Sequence, residues 1–175
     1  MTRTRTAFTQ DLRQMQDRLL ELGSMVDKAI AQSVEALKTQ NTELAQKVID
    51  GDDAINAGRW EIEQMTISLI ARQAPMAGDL RRIMATVHIG TNLERMGDHA
   101  QGIASLTLRT ADEPLLKPLV DVPRMSQVAR EMLTASLDSF VELDAVAARD
   151  IALRDEEVDQ LYEQIYRELL TFMIS

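Results

Sequence analysis

The chain contains no cysteine. Disulfides and thiolate metal sites are therefore excluded. Carboxylate, imidazole and carbonyl groups remain as ligands, and hard divalent cations such as Mg or Mn become the default metals. Aromatic residues make up 3% of the sequence, and strand signals are scarce. Proline occurs only 4 times. No uncharged apolar run approaches the length of a membrane span. The opening M-T-R-T-R-T-A-F-T-Q has arginines but no apolar core behind them, so it does not read as a secretory signal, and a cytoplasmic protein is expected. Net positive charge is also missing: the formal charge is -9 and the sequence pI about 4.7. Nothing in that balance attracts the whole chain to nucleic acid or anionic lipid, although it leaves room for a local basic patch. No nucleophile elbow, phosphate-binding glycine loop or catalytic triad is present.

What the sequence does contain is helical spacing. Leu12, Met15, Leu19, Leu22, Val26, Ala29, Ser33 and Ala36 recur at alternating three- and four-residue steps, the seam of a helix packed on other helices and ending near Thr39. A second seam runs through Leu44, Val48, Gly51, Ile55, Gly58, Ile62, Met65 and Leu69, with both glycines in the stripe where a neighbour can approach. Asn41 suits its N-cap, Glu43 suits the positive end of its dipole, and Ala74-Pro75 ends it after about Gln73. Pro75 is then expected in the first turn of a third helix. Three of the prolines fall in T-A-D-E-P-L-L-K-P-L-V-D-V-P, which forbids a continuous helix and reads as a linker. Helical spacing returns from Pro123 and again from Asp144 to the last residue.

The second half also slides back onto the first at constant offset. Asp144 falls on Asn41, Ile151 on Val48, Asp155-Glu156 on Asp52-Asp53, Val158 on Ile55 and Ile165 on Ile62. The expected organisation is a three-helix bundle over residues 1–110, a linker over 111–122, and over 123–175 the first two helices of a second bundle. The partner of the third helix would begin beyond Ser175, so the chain reads as a fragment whose open apolar face favours self-association.

The third helix carries the stretch N-L-E-R-M-G-D-H-A-Q-G-I. Glu94 and Asp98 lie one turn apart, where like charges repel by roughly 0.2–0.5 kcal/mol. They share a face with Thr91, Gln101 and Ser105, opposite Ile89, Leu93, Met96, Ala100 and Ile103. Two readings follow from the residues alone: a solvated acidic face, or a cation site in which a metal neutralises the pair. His99 points well around the helix. The Glu-x-x-His spacing of di-iron bundles is missing, because Gly97 holds the third position after Glu94. His88 lacks the surroundings of a phosphotransfer histidine.

A-R-Q-A-P-M-A-G-D-L-R-R-I, residues 71–83, followed by T-N-L-E-R-M-G-D-H-A-Q-G-I-A, residues 91–104, resembles the third-helix signature of the PhoU family of phosphate-transport regulators. Asp52 to Asn56 and Ile62-Glu63 are similar to that family's second helix. The resemblance implies an all-α fold of two pseudo-repeated antiparallel three-helix bundles, the second lacking its last helix here. It implies regulation rather than catalysis. It also implies Glu/Asp-x-x-x-Asp motifs that bind multinuclear Fe or Zn clusters, which makes Glu94 and Asp98 the metal ligands, with Asp79 and Asn92 as weaker matches. The partners it implies are the ATPase of a phosphate ABC transporter and a sensor histidine kinase, contacted by a homo-oligomer, a dimer, at the inner face of the membrane. A helical metal-buffering or storage protein and a non-catalytic dimerisation scaffold are the alternative functions.

Overall fold

The computed structural model describes residues 2–174, and the side chains of residues 7–174. The chain is all-α, with no strand among the described residues: α1 (Thr2–Thr39), α2 (Thr42–Gln73), α3 (Ala77–Thr110), α4 (Asp121–Glu142), α5 (Ala145–Leu153) and α6 (Asp155–Ile174). The first three pack pairwise into a bundle. α4 lies on α1, and α5 and α6 pack on α4.

Leu19, Leu22 and Val26 of α1 meet Ile55 and Ile62 of α2 and Leu93 of α3, and α4 adds Leu133 and Leu137 to the same cluster. Each such side chain contributes about 1.5–3 kcal/mol by leaving water. Smaller clusters close the two ends of the bundle, Leu12, Met15, Leu69 and Ile83 at one and Ala36, Ala45, Val48 and Ala104 at the other. Nearly every seam residue of α1 is buried as its spacing predicts; Ala29 is only half-buried. An Arg130–Asp27 fork, with Nε and Nη2 each 2.8 Å from a carboxylate oxygen, fastens α4 to α1.

The turns before α2 and α5 repeat one another. Gln40 and Leu143 adopt left-handed φ values of 52° and 59°. The next residues, Asn41 and Asp144, donate their N–H to Ala36 and Ser139 at 2.9 Å, and their side chains cap the following helices. The pairing of Asn41 with Asp144 thus has the same backbone at both places.

Several local expectations change. The helix expected from Asp144 onward breaks at Arg154, whose N–H turns back to Ile151 at 3.0 Å. α5 buries none of its residues, and Asp155, Glu156 and Glu157 in succession favour the positive start of a new helix. Pro75 lies outside α3, because Ala74 ends α2 in a left-handed conformation and extended Met76 takes the N-cap. α4 begins at Asp121, so Pro123 sits inside its first turn, where a missing N–H is tolerated. The glycines of α2 diverge: a Cβ on Gly58 would stand 3.1 Å from Leu22, whereas Gly51 faces nothing within 4 Å.

Candidate functional site

The core stripe of α3 is turned from the one its large apolar residues suggest. Ile83, Thr86, Gly90, Leu93, Gly97, Ala100, Ala104 and Thr107 are buried, while Ile89, Met96 and Ile103 are only half-covered. Gly90 and Gly97 have no side chain to hold α2 away: a Cβ on Gly90 would lie 3.6 Å from Ile62, and one on Gly97 would lie 3.1 Å from two carbons of Ile55. This brings the acids of α3 to the rim of the α2–α3 seam. Asp98 is exposed and Glu94 half-buried, so the pair is not a plain solvated face.

Across the seam, α2 presents Asp52, Asn56, Arg59 and Glu63, spaced for one helical face. Asp52 is 7% exposed. Its Oδ2 accepts a hydrogen bond from Asn56 Nδ2 at 2.9 Å, and its Oδ1 is buried without a partner. Burial, and then the nearby charge of Asp98, push the Asp52 carboxyl above the ordinary carboxylate value, against the smaller pull of Asn56. One turn along, Arg59 Nη1 stands 2.9 Å from Glu63, and its Nε 3.9 Å from Glu94 Oε1. Negative charge is therefore compensated at Glu94 and left uncompensated at Asp52 and Asp98.

That asymmetry decides what the site can hold. Asp52 and Asp98 offer hard carboxylate oxygens from facing helices, and an orphaned buried carboxylate oxygen is the kind of group a cation satisfies. Among the described residues, no three carboxylate or imidazole side chains converge closely enough to hold a metal ion as they stand. A cation held here would take Asp52 and Asp98, with Glu94 as a third carboxylate if Arg59 released it.

Asp79 and Asn92 are not brought to this place. Asp79 is in the first turn of α3, about 22 Å along the helix from Glu94 at 1.5 Å per residue. Asn92 points to a separate groove of about 380 Å³ that it shares with Met96, Met132, Leu133 and Asp155. His88 and His99 are exposed. The spacing of α3 alone does not reveal Arg59; the signal for it was its place one turn beyond Asp52-Asn56 on a shared face.

The family profile described as PhoU domain matches residues 19–107 and 122–175. A phosphate-specific transport system accessory protein PhoU homolog of Aquifex aeolicus is 41% identical over 165 residues, covering 94% of this chain and 75% of the relative. The phosphate-specific transport system accessory protein PhoU of Escherichia coli is 31% identical over 168 residues, covering 96% and 70%. The crystal structure of PhoU from Pseudomonas aeruginosa superposes with a TM-score of 0.89 at 32% identity, covering 95% of this chain and 80% of that one. That of the phosphate transport system regulatory protein PhoU from Streptococcus pneumoniae gives 0.87 at 31% identity, covering 95% and 78%. The chain belongs to the PhoU family.

Proposed function

We propose that the protein is a cytoplasmic negative regulator of phosphate uptake and of the phosphate-starvation response. In this role it relays phosphate status between the ATPase of a phosphate ABC transporter and a sensor histidine kinase, as a homo-oligomer at the inner face of the membrane. Family membership supports this reading, and among the described residues no helix is long and apolar enough to cross a membrane. The test is a phosphate-starvation reporter in a strain lacking its own regulator. Expression of this chain lowers the reporter in high phosphate, and an unchanged reporter refutes the relay.

The α2–α3 seam adds a cation site to this function, with Glu94 and Asp98 as ligands from α3 and Asp52 as the ligand from α2. The observation that carries it is the partnerless buried Oδ1 of Asp52 beside Asp98. Iron, zinc, or a harder cation such as magnesium or manganese would neutralise the carboxylates and draw the two helices' donors together. Glu94→Gln combined with Asp98→Asn keeps side-chain shape and removes charge. The parent binds Fe or Zn on titration and the double variant does not, while their helical circular dichroism matches. Equal metal content in both would return the pair to an acidic surface.

A further inference from the structure

The sign of charge is not spread evenly over this acidic chain. Between residues 64 and 88, which form the end of α2, the turn, and the start of α3, there are three arginines and a single aspartate. These residues carry a formal +2 in a chain of net -9. Arg72 is exposed and reaches Asp11 at 3.5 Å. Arg81 is exposed, and Arg82 is half-exposed with its Nε buried and without a hydrogen-bond partner.

The same end exposes apolar side chains. Every residue from Met76 to Arg81 is exposed. Met76 is 78%, Leu80 38% and Met84 40% accessible, and Ile67 of α2 is 60% accessible. Met76, Leu80 and Met84 follow one another at four-residue steps, so they form one stripe running up to the turn, with Arg81 at its side. A solvated helix start gains nothing from such a stripe. Exposed methionine and leucine side chains flanked by guanidinium groups are the pattern of a surface that enters a headgroup layer.

We propose that the α2–α3 end of the bundle docks on an anionic lipid surface, with Met76, Leu80 and Met84 entering the interface and Arg72, Arg81 and Arg82 meeting the headgroup phosphates. The charge of the rest of the chain sets the orientation, since the acidic α2–α3 seam and the remainder of the molecule are repelled from the same surface. An acidic protein would satisfy the arginines too, but it must also supply an apolar receptor matched to three separate side chains, whereas a bilayer interface accepts any apolar side chain. The inference rests on the proposed placement at the inner face of the membrane and names the surface that makes it, but it is independent of the cation site and is read from vesicle binding and not from the reporter, so the two can fail separately.

The test is co-sedimentation of the whole chain with vesicles of phosphatidylcholine, with and without about a third phosphatidylglycerol. Binding is expected to the anionic vesicles only, to weaken as salt screens it, and to drop about fivefold for each arginine removed. Met76→Asp with Arg81→Gln is the informative variant. Met76 is an N-cap that makes no side-chain cap hydrogen bond, and aspartate is a preferred N-cap, so α3 is kept while the tip gains a charge. An unchanged or raised melting temperature verifies that the fold survives. The variant should bind at least tenfold more weakly, and Lys47→Gln, an exposed charge at the opposite end of the bundle, should bind as the parent does. Equal binding to neutral and anionic vesicles overturns the proposal, as does binding that survives the double variant or that Lys47→Gln weakens equally. Absence of vesicle binding also overturns it, and retention on an immobilised acidic amphipathic peptide would then reassign the tip to a protein partner.

Discussion

Replacing Gly97 by alanine sets two effects of opposite sign against each other, and a second glycine of the same helix separates them. In a helix interior alanine is favoured over glycine by about 1 kcal/mol. At Gly102 nothing lies within 4 Å of the added Cβ, so that gain is unopposed. At Gly97 the Cβ would stand 3.1 Å from both Cδ1 and Cγ2 of Ile55 and 3.6 Å from Asp52 Oδ1. Ile55 is 3% exposed within the main core cluster, and its β-branched side chain has little rotational freedom, so the helices must part slightly. Overpacking of this kind costs about 1–3 kcal/mol. Gly102→Ala is therefore expected to be more stable than the parent, and Gly97→Ala less stable than Gly102→Ala by about 1–3 kcal/mol. In a domain of this size that is a difference of roughly 2–12 °C in melting temperature. Thermal melts followed by circular dichroism, with urea melts for the free energies, read it directly. If Gly97→Ala is as stable as Gly102→Ala, the close approach of α2 and α3 does not hold, and with it goes the reason that Asp52 and Asp98 are neighbours.

Leu143 is exposed with a left-handed φ of 59°, so Leu143→Gly should stabilise the protein by about 1 kcal/mol in a urea titration. Arg130→Met removes the fork to Asp27, and α4 to α6 should then become more sensitive to limited proteolysis while α1 to α3 stay protected; the fork is partly exposed, so the loss is about 1 kcal/mol or less. Hydrogen bonds from Arg154 and then Gln127 hold the Glu131 carboxyl below its ordinary value. A depressed folded value means that its contribution is present above the unfolded carboxylate pKa and is lost as pH falls through the folded one. The urea midpoint should decline over that acidic window less steeply in Glu131→Gln, and identical pH profiles would show that Glu131 plays no part.

The stripe of α1 was legible because a helix seam needs only spacing, and Leu12 through Ala36 carry that spacing without interruption; in α2 Val48, Ile55, Gly58, Ile62 and Leu69 are buried as expected, but Ala45, Asp52 and Thr66 lie inward where Leu44, Gly51 and Met65 were expected. The turn chemistry was legible for the same local reason: Asn41 and Asp144 cap through hydrogen bonds to amides two or three residues away. The acid pair of α3 was visible too, since one turn of helix sets its geometry. The break at Arg154 was not, because periodicity says where an apolar face would lie and not whether anything covers it, and α5 buries no residue. Nor did spacing predict which side of α3 faces inward. Large apolar residues suggested Ile89, Met96 and Ile103, but α2 packs where side chains are smallest, at Gly90 and Gly97. That choice depends on two helices fitting together, and it is what places Asp52, with its partnerless oxygen, beside Asp98. Sequence by itself determined the long helical runs, the caps of α2 and α5 and the acids one turn apart, because those depend on neighbours along the chain. Only the tertiary structure decided which carboxylates face each other, because α2 and α3 meet there through the contact of Ile55 with a residue that has no side chain.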